Sequence, residues 1–236
     1  GSNSHLLIVG ITGSGKTMAL YHILTCLIGQ NAEVYVCDFK KGSLYSLILN
    51  SVPHGDKFAL ATADELENTL QGLIQNMETR FERLADPDAP LDITAVELNP
   101  EWHPIVLVID EFSGAMATTE KKQAGRITDL MQKYVQLGRQ ANMSLILSFQ
   151  KLKADTLKTD ISDQMVKLLL GKANNTTKVS LFDKAVNLPR IDTRIKGAGY
   201  LERPDDPLPL AIIMPDLKGV DFRALIRQLS RKENTS

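Results

Sequence analysis

Cysteine is scarce in these 236 residues: Cys26 and Cys37 are the only two, and neither has a CxxC partner or a Cys/His cluster beside it. A disulfide scaffold and a thiolate zinc site are therefore excluded. Both thiols are expected as reduced core groups of a cytosolic protein, one in a helical pattern and one in a strand pattern. Long apolar runs are missing too: none approaches the ~20 residues that a helix needs to cross a bilayer, and no secretory leader is expected. A large charge of either sign is absent as well. The formal net charge is −1, which argues against a protein that coats a polyanion over its whole surface, so any such partner must meet a local patch. No internal repeat or low-complexity tract is present.

The chain does have enough apolar content, 43%, to bury a sizeable core, and one α/β domain over residues 6–230 is the economical expectation. Buried strands are predicted at Leu6 to Gly10, Glu33 to Phe39, Pro104 to Phe112, Met143 to Gln150 and Leu208 to Met214. These runs are continuous rather than alternating, which suits strands covered on both faces. Between them lie helical patterns. The clearest spans Ala63 to Leu84, where Leu66, Leu70, Leu73, Ile74, Met77, Phe81 and Leu84 recur at three-and-four spacing behind a Thr62/Glu65 capping box. The expected fold is thus α/β, with a mainly parallel central sheet and helices on both faces. The segment Ala85 to Pro104, rich in proline and acid, reads as an irregular surface connection. Residues 1–5 read as a tag remnant and lead-in, and 231–236 as a frayed tail. A chain trimmed this closely is expected to be a domain of a longer protein.

"GITGSGKT", residues 10–17, satisfies G-x-x-x-x-G-K-[ST] between a strand and a helix. Gly13 and Gly15 let successive N–H groups turn inward toward phosphate oxygens. Thr12, Gly13, Ser14, Gly15, Lys16 and Thr17 form the candidate nucleotide site. Lys16 can reach the β and γ phosphates, and Thr17 can hold Mg²⁺. The strand "IVLVIDEF" ends in adjacent carboxylates. Asp110 suits the Mg²⁺ shell, and Glu111 suits the base that orients the attacking water. Gln150, closing "MSLILSFQ", can sense the γ-phosphate, as in ATPases with an extra strand between the phosphate loop and the acidic strand. No N-K-x-D stretch is present to read guanine, so ATP is the expected nucleotide.

The pieces "HLLIVGITGSGKT", "VCDFKKGS", "NMETRFERL", "PIVLVIDEFSGAM", "LGRQANMSLILSFQ" and "GAGYLE", in this order and spacing, resemble the motor domain of the FtsK/SpoIIIE family, within the FtsK/HerA class of ring-forming ATPases. That resemblance covers nearly the whole chain and implies a RecA-like P-loop NTPase, a homohexameric ring with a central pore, and ATP at the subunit interfaces. It also implies a trans arginine, whose family position aligns with Arg139, and pore loops whose places here hold Lys121, Lys122, Lys151 and Lys153. The implied cargo is double-stranded DNA, moved in conjugative transfer or chromosome partitioning. The implied location is a cytoplasmic domain of a membrane-anchored bacterial protein, touching membrane only through parts beyond this chain.

Charge distribution is compatible with a basic pore: residues 151–200 carry a net of +5 and residues 51–100 a net of −7. Contacts to phosphates of this kind bind without reading sequence and weaken steeply with salt. Two features qualify the DNA reading. No winged-helix module follows, so no sequence-directed loading is expected. "DFKKGS" with "VPH" also resembles the motor modules of type VII secretion, which move proteins, so a secreted polypeptide is the alternative cargo.

Overall fold

The computed structural model describes residues 5–86, 98–99, 101–152, 159–182 and 188–231. Among the described residues, eight strands form one sheet in the spatial order β3-β2-β4-β5-β1-β6-β7-β8. The first six are parallel: β3 (Ala59–Leu60), β2 (Glu33–Cys37), β4 (Ile105–Ile109), β5 (Met143–Phe149), β1 (His5–Gly10) and β6 (Met165–Leu170). Strands β7 (Ala198–Glu202) and β8 (Leu210–Ile213) run antiparallel at the edge.

Alternate side chains of the central strands go to opposite faces, as the two-residue period requires. Leu7, Val9, Leu107, Ile109, Leu145 and Leu147 pack on one side, with α4 (Ala63–Leu84) and α6 (Lys121–Gly138). Ile8, Val106, Val108, Ile146 and Leu168 pack on the other, with α1 (Lys16–Gly29), α2 (Ser43–Ser51) and α9 (Phe222–Arg231). Both faces being covered explains why these strands read as unbroken apolar runs. Short helices complete the order: α3 (Gly55–Phe58), α5 (Phe112–Thr118), α7 (Thr159–Ser162) and α8 (Asn175–Phe182).

Helix α4 has the predicted bounds and the predicted cap. The Thr62 hydroxyl accepts the Glu65 N–H at 3.2 Å, and the Glu65 carboxylate accepts the N–H groups of Thr62 and Ala61 at 3.0 and 2.7 Å. The Ala61 bond is the main reason that the Glu65 carboxyl titrates below its ordinary range.

Several sequence expectations need correction. His5 is fully buried at the start of β1 and is no lead-in. Cys37 is buried, but Cys26 lies on the exposed side of α1, because a helix turns part of its apolar pattern outward. Strand β8 starts at Leu210 and is mostly exposed, as the last strand on its side of the sheet. Strand β6 is absent from the predicted set because Lys167 interrupts its run. That lysine is 7% exposed, and its charge is met by Asp163 and Glu202 at 3.8 and 3.7 Å. Strand β7 is absent from it because of its glycine. A Cβ at Gly199 would fall on the Leu169 carbonyl, so only glycine lets the two strands approach this closely. Most of the 85–104 connection lies outside the described residues.

Candidate functional site

The site forms where β1, β5 and β4 end, because parallel strands deliver all their following loops to the same edge. After Gly10 the chain turns through Ser14, whose N–H reaches the Ile11 carbonyl at 3.0 Å. Gly13 and Gly15 have φ of +84° and +100°, the left-handed region that their lack of a Cβ makes cheap. Helix α1 starts at Lys16 with no side chain capping it. Its first N–H groups and its positive dipole end are therefore left for an anion.

The loop is held tightly from behind. A Cβ added at Gly10 would sit 2.5 Å from the Ser14 hydroxyl, and one at Gly171 would sit 2.8 Å from the Ser14 Cβ. Gly197 donates its N–H to the Ser14 carbonyl at 2.9 Å. Thr12 and Gly13 lie exposed at the tip, and Thr17 is exposed on the first turn of α1.

Lys16 anchors a compact polar cluster. Its Nζ donates to the Ser148 Oγ at 2.8 Å and lies 3.5 Å from the Asp110 Oδ1 and 3.6 Å from the Glu111 Oε2. Ser148 in turn donates to Asp110 at 2.5 Å. Sequence reasoning missed Ser148. The available signal was a hydroxyl inside the buried run "LILSF", where a polar group needs a partner.

Asp110 and Glu111 lie just past β4 and not within it. Glu111 occupies the left-handed region, φ 50° and ψ 50°, at the head of α5. A non-glycine residue held there is strained by on the order of 1–3 kcal/mol, and such strain clusters at working sites. Its Oε1 accepts the Gln150 backbone N–H at 3.4 Å, which ties the end of β5 to the acidic corner. The Gln150 residue itself is exposed at that edge, one position beyond Phe149.

The donor set fits a hard cation held largely by a ligand's own oxygens. Among the described residues no cluster of three or more His, Cys, Asp or Glu side chains is present. Asp110 and the hydroxyl of Thr17 offer the one or two oxygens that Mg²⁺ typically takes from protein beside nucleotide phosphates.

Four other predicted residues are also described. Arg139 is exposed just after α6, where the chain turns into the start of β5. The seven residues of β5 separate it from Gln150, which at ~3.3 Å per residue is roughly 20 Å. Arg139 is therefore at the opposite edge of the sheet from its own phosphate loop. Lys121 and Lys122 open α6, and Lys151 follows Gln150; all three are exposed and form no ion pair among the described residues. Helix α6 begins beyond β4, so these three lysines share the loop-bearing edge with the phosphate loop. Lys153 lies outside the described residues.

Comparison with known proteins agrees with this geometry. Residues 1–89 match the FtsK/SpoIIIE family model, which bears out the resemblance carried by the motifs. An Ftsk domain-containing protein, YdcQ of Bacillus subtilis, is 26% identical over 199 residues, covering 83% of this chain and 40% of the relative. A DNA translocase FtsK of Campylobacter jejuni is 28% identical over 162 residues, covering 65% of this chain and 16% of the relative. The chain thus spans less than half the length of either. Among solved structures, the pCW3 conjugation coupling protein TcpA, in monomer form with ATPγS, superposes with a TM-score of 0.73. It is 20% identical, and the match covers 96% of this chain and 65% of that one. The type VII secretion ATPase EccC of Thermomonospora curvata superposes at 0.69 with 20% identity, covering 96% and 28%. The fold is that of the P-loop ATPases.

Proposed function

We propose that this chain is the ATP-hydrolysing motor of a double-stranded DNA translocase and works as a homohexameric ring. The observation that carries the reading is how the residues divide between the two edges of the sheet. Lys16, Asp110, Glu111 and Ser148 meet at the phosphate loop. The arginine that the resemblance implies for transition-state charge lies exposed at the far edge, where a neighbouring subunit could use it. Arg139 can serve only another copy's nucleotide, so hydrolysis needs assembly.

In this mechanism the phosphate loop and the first turn of α1 hold the triphosphate. Bound Mg²⁺, taken up by Thr17 and Asp110, would neutralise phosphate charge. Lys16 exchanges its Ser148 and Asp110 partners for phosphate oxygens. Glu111, already strained and fixed through the Gln150 N–H, orients water and accepts its proton. Gln150 reports the state of the γ-phosphate to the loop that carries Lys151. Lys121, Lys122, Lys151 and Lys153 grip the DNA backbone, and each cycle shifts that grip. The DNA cargo is supported by the likeness to a DNA translocase FtsK, and the conjugative setting by the likeness to the conjugation coupling protein TcpA. In the cell this chain would act on the cytoplasmic side, tethered to membrane through segments of a longer protein.

The test is the ATPase rate of assembled protein with and without duplex DNA across a salt series. Stimulation by DNA, with duplex binding that weakens roughly a hundredfold or more between about 50 and 200 mM salt, is expected. A rate indifferent to DNA, with no salt-sensitive binding, would sink the proposal. The likeness to EccC and the "DFKKGS" stretch favour a second reading, a type VII-like protein-secretion motor. Stimulation by a secreted polypeptide's tail in place of DNA would select it.

A further inference from the structure

We propose that the loop after β2, "DFKKGS", is a third contact of this motor with its cargo, in which Lys40 and Lys41 hold phosphates of the duplex backbone. The inference rests on the DNA reading above and adds to it a loop outside the four lysines named there.

One buried carboxylate sets the shape of the loop. Asp38 is 5% exposed, and its two oxygens accept the N–H groups of Lys40 at 3.0 Å and Gly42 at 2.8 Å. The Asp38 carbonyl accepts the Lys41 N–H at 2.9 Å, which closes the turn. A Cβ on Gly42 would lie 2.8 Å from an Asp38 carboxylate oxygen, so a side chain there would push the carboxylate out of place. Phe39 packs against the core and pins the base of the turn. The carboxylate is thus spent on backbone, and neither lysine shares it.

What the loop presents is charge without a partner. Lys40 and Lys41 are exposed, and neither makes an ion pair among the described residues. Glu65 senses the Lys41 charge, but its carboxylate is engaged by the N–H groups of Ala61 and Thr62. The Lys41 ammonium lies 5.9 Å from the centre of the Tyr45 ring, a contact that steadies the side chain and leaves its charge uncancelled. Lys41 also takes φ +50°, the left-handed region that is unfavourable for a residue with a Cβ. Two like charges fixed side by side in an ordered turn repel, and an anion laid across them removes that cost.

Sheet order decides which anion fits. Asp110 donates its N–H to the Cys37 carbonyl at 2.9 Å, so the loop stands beside the acidic corner on the loop-bearing edge. Strands β2, β4 and β5 are neighbours there; at ~4.8 Å per strand the row from this loop to Lys151 spans roughly 10 Å. Strand β1, which carries the phosphate loop, is roughly 14 Å from β2, and Lys16 already serves that nucleotide. A duplex presents one charge per about 1.7 Å of its axis, so several phosphates face a row of this length. Lys40, Lys41, Lys121, Lys122 and Lys151, distributed along one edge, match an extended polyanion better than a single small one. "DFKKGS", which as sequence fits either cargo, acquires a role tied to one of them.

The test measures binding of the full chain to a mixed-sequence duplex by fluorescence anisotropy between about 50 and 200 mM salt. Each phosphate contact adds about 0.9 to the slope of log affinity against log salt. The double variant Lys40→Gln with Lys41→Gln should therefore lose about 1.8 of that slope, a roughly twelvefold difference over this fourfold range of salt. Lys40→Arg with Lys41→Arg should keep the slope, and the loss should be equal on AT-rich and GC-rich duplexes, because phosphate contacts read no sequence. Binding of ATP with Mg²⁺ should stay at the parent's value in every variant. An unchanged slope in the glutamine variant would overturn the proposal, and so would a loss confined to ATP affinity, which would assign the lysines to a nucleotide. Absence of salt-sensitive duplex binding in the parent itself would mark failure of the DNA reading, and this inference would fall with it.

Discussion

The two edges of the sheet differ in how their central polar groups are held. At the phosphate-loop edge, Lys16, Ser148, Asp110 and Glu111 are partnered by one another's side chains. At the far edge, Arg80 and His5 are tied mainly to backbone, Arg80 with one further bond to the Asn76 Oδ1 at 3.0 Å. Arg80, 5% exposed, donates to the carbonyls of Ala141 at 2.8 Å and His103 at 3.3 and 3.4 Å, and its guanidinium lies 5.7 Å from the Trp102 ring. His5, fully buried, accepts the Leu145 N–H on Nδ1 at 3.0 Å. Side-chain partners can be exchanged for a ligand's oxygens, whereas carbonyls that belong to the fold cannot. The near edge is arranged for turnover and the far edge for rigidity.

The comparison breaks first at Glu111. Glu111→Gln should lower the ATPase rate by roughly 10²–10⁴-fold while ATP still binds. Single-turnover hydrolysis beside equilibrium binding measures both, and surviving hydrolysis would remove Glu111 from its role. At the far edge the opposite split is expected. Arg80→Ala leaves the carbonyls of Ala141 and His103 without their donor and should cost about 3 kcal/mol in urea unfolding, with ATP affinity unchanged. A loss of ATP affinity at constant stability would show that the edges are not separate.

A third effect is read from pH. Burial, reinforced by the nearby Arg139 charge, lowers the His5 pKa from 6.5 to about 4. The unfolded chain therefore binds the proton first. Stability from this group is present above pH 6.5 and is lost as pH falls toward 4, by on the order of 3 kcal/mol in all. Urea unfolding at about pH 7.5, 6 and 4.5 should show the decline, and His5→Asn should flatten it. An unchanged slope in that variant would assign the acid sensitivity elsewhere.

The phosphate loop, the acidic pair and helix α4 were all legible, because each depends on residues close in sequence. A capping box needs only Thr62 and Glu65, and a phosphate cradle needs only glycines at set spacing. Strands β6 and β7 were not legible, because Lys167 finds its partner Glu202 on a different strand and Gly199 matters only through the Leu169 carbonyl. Ser148 was missed for the same reason: its partners Lys16 and Asp110 lie 132 and 38 residues away.

The sequence by itself determined that this chain binds a phosphate chain and carries two carboxylates at the end of a buried strand, since those features are local and periodic. Only the tertiary structure decided what stands around them. Sheet order inserts β5 between β1 and β4, which brings Ser148 to Lys16 and sends Arg139 to the far edge. It also folds Gly197 and Met214 against Ser14, closing a cleft beside the loop. Hydrogen bonds and packing between residues far apart in sequence carry no periodic signature, so they become visible only once the chain has folded.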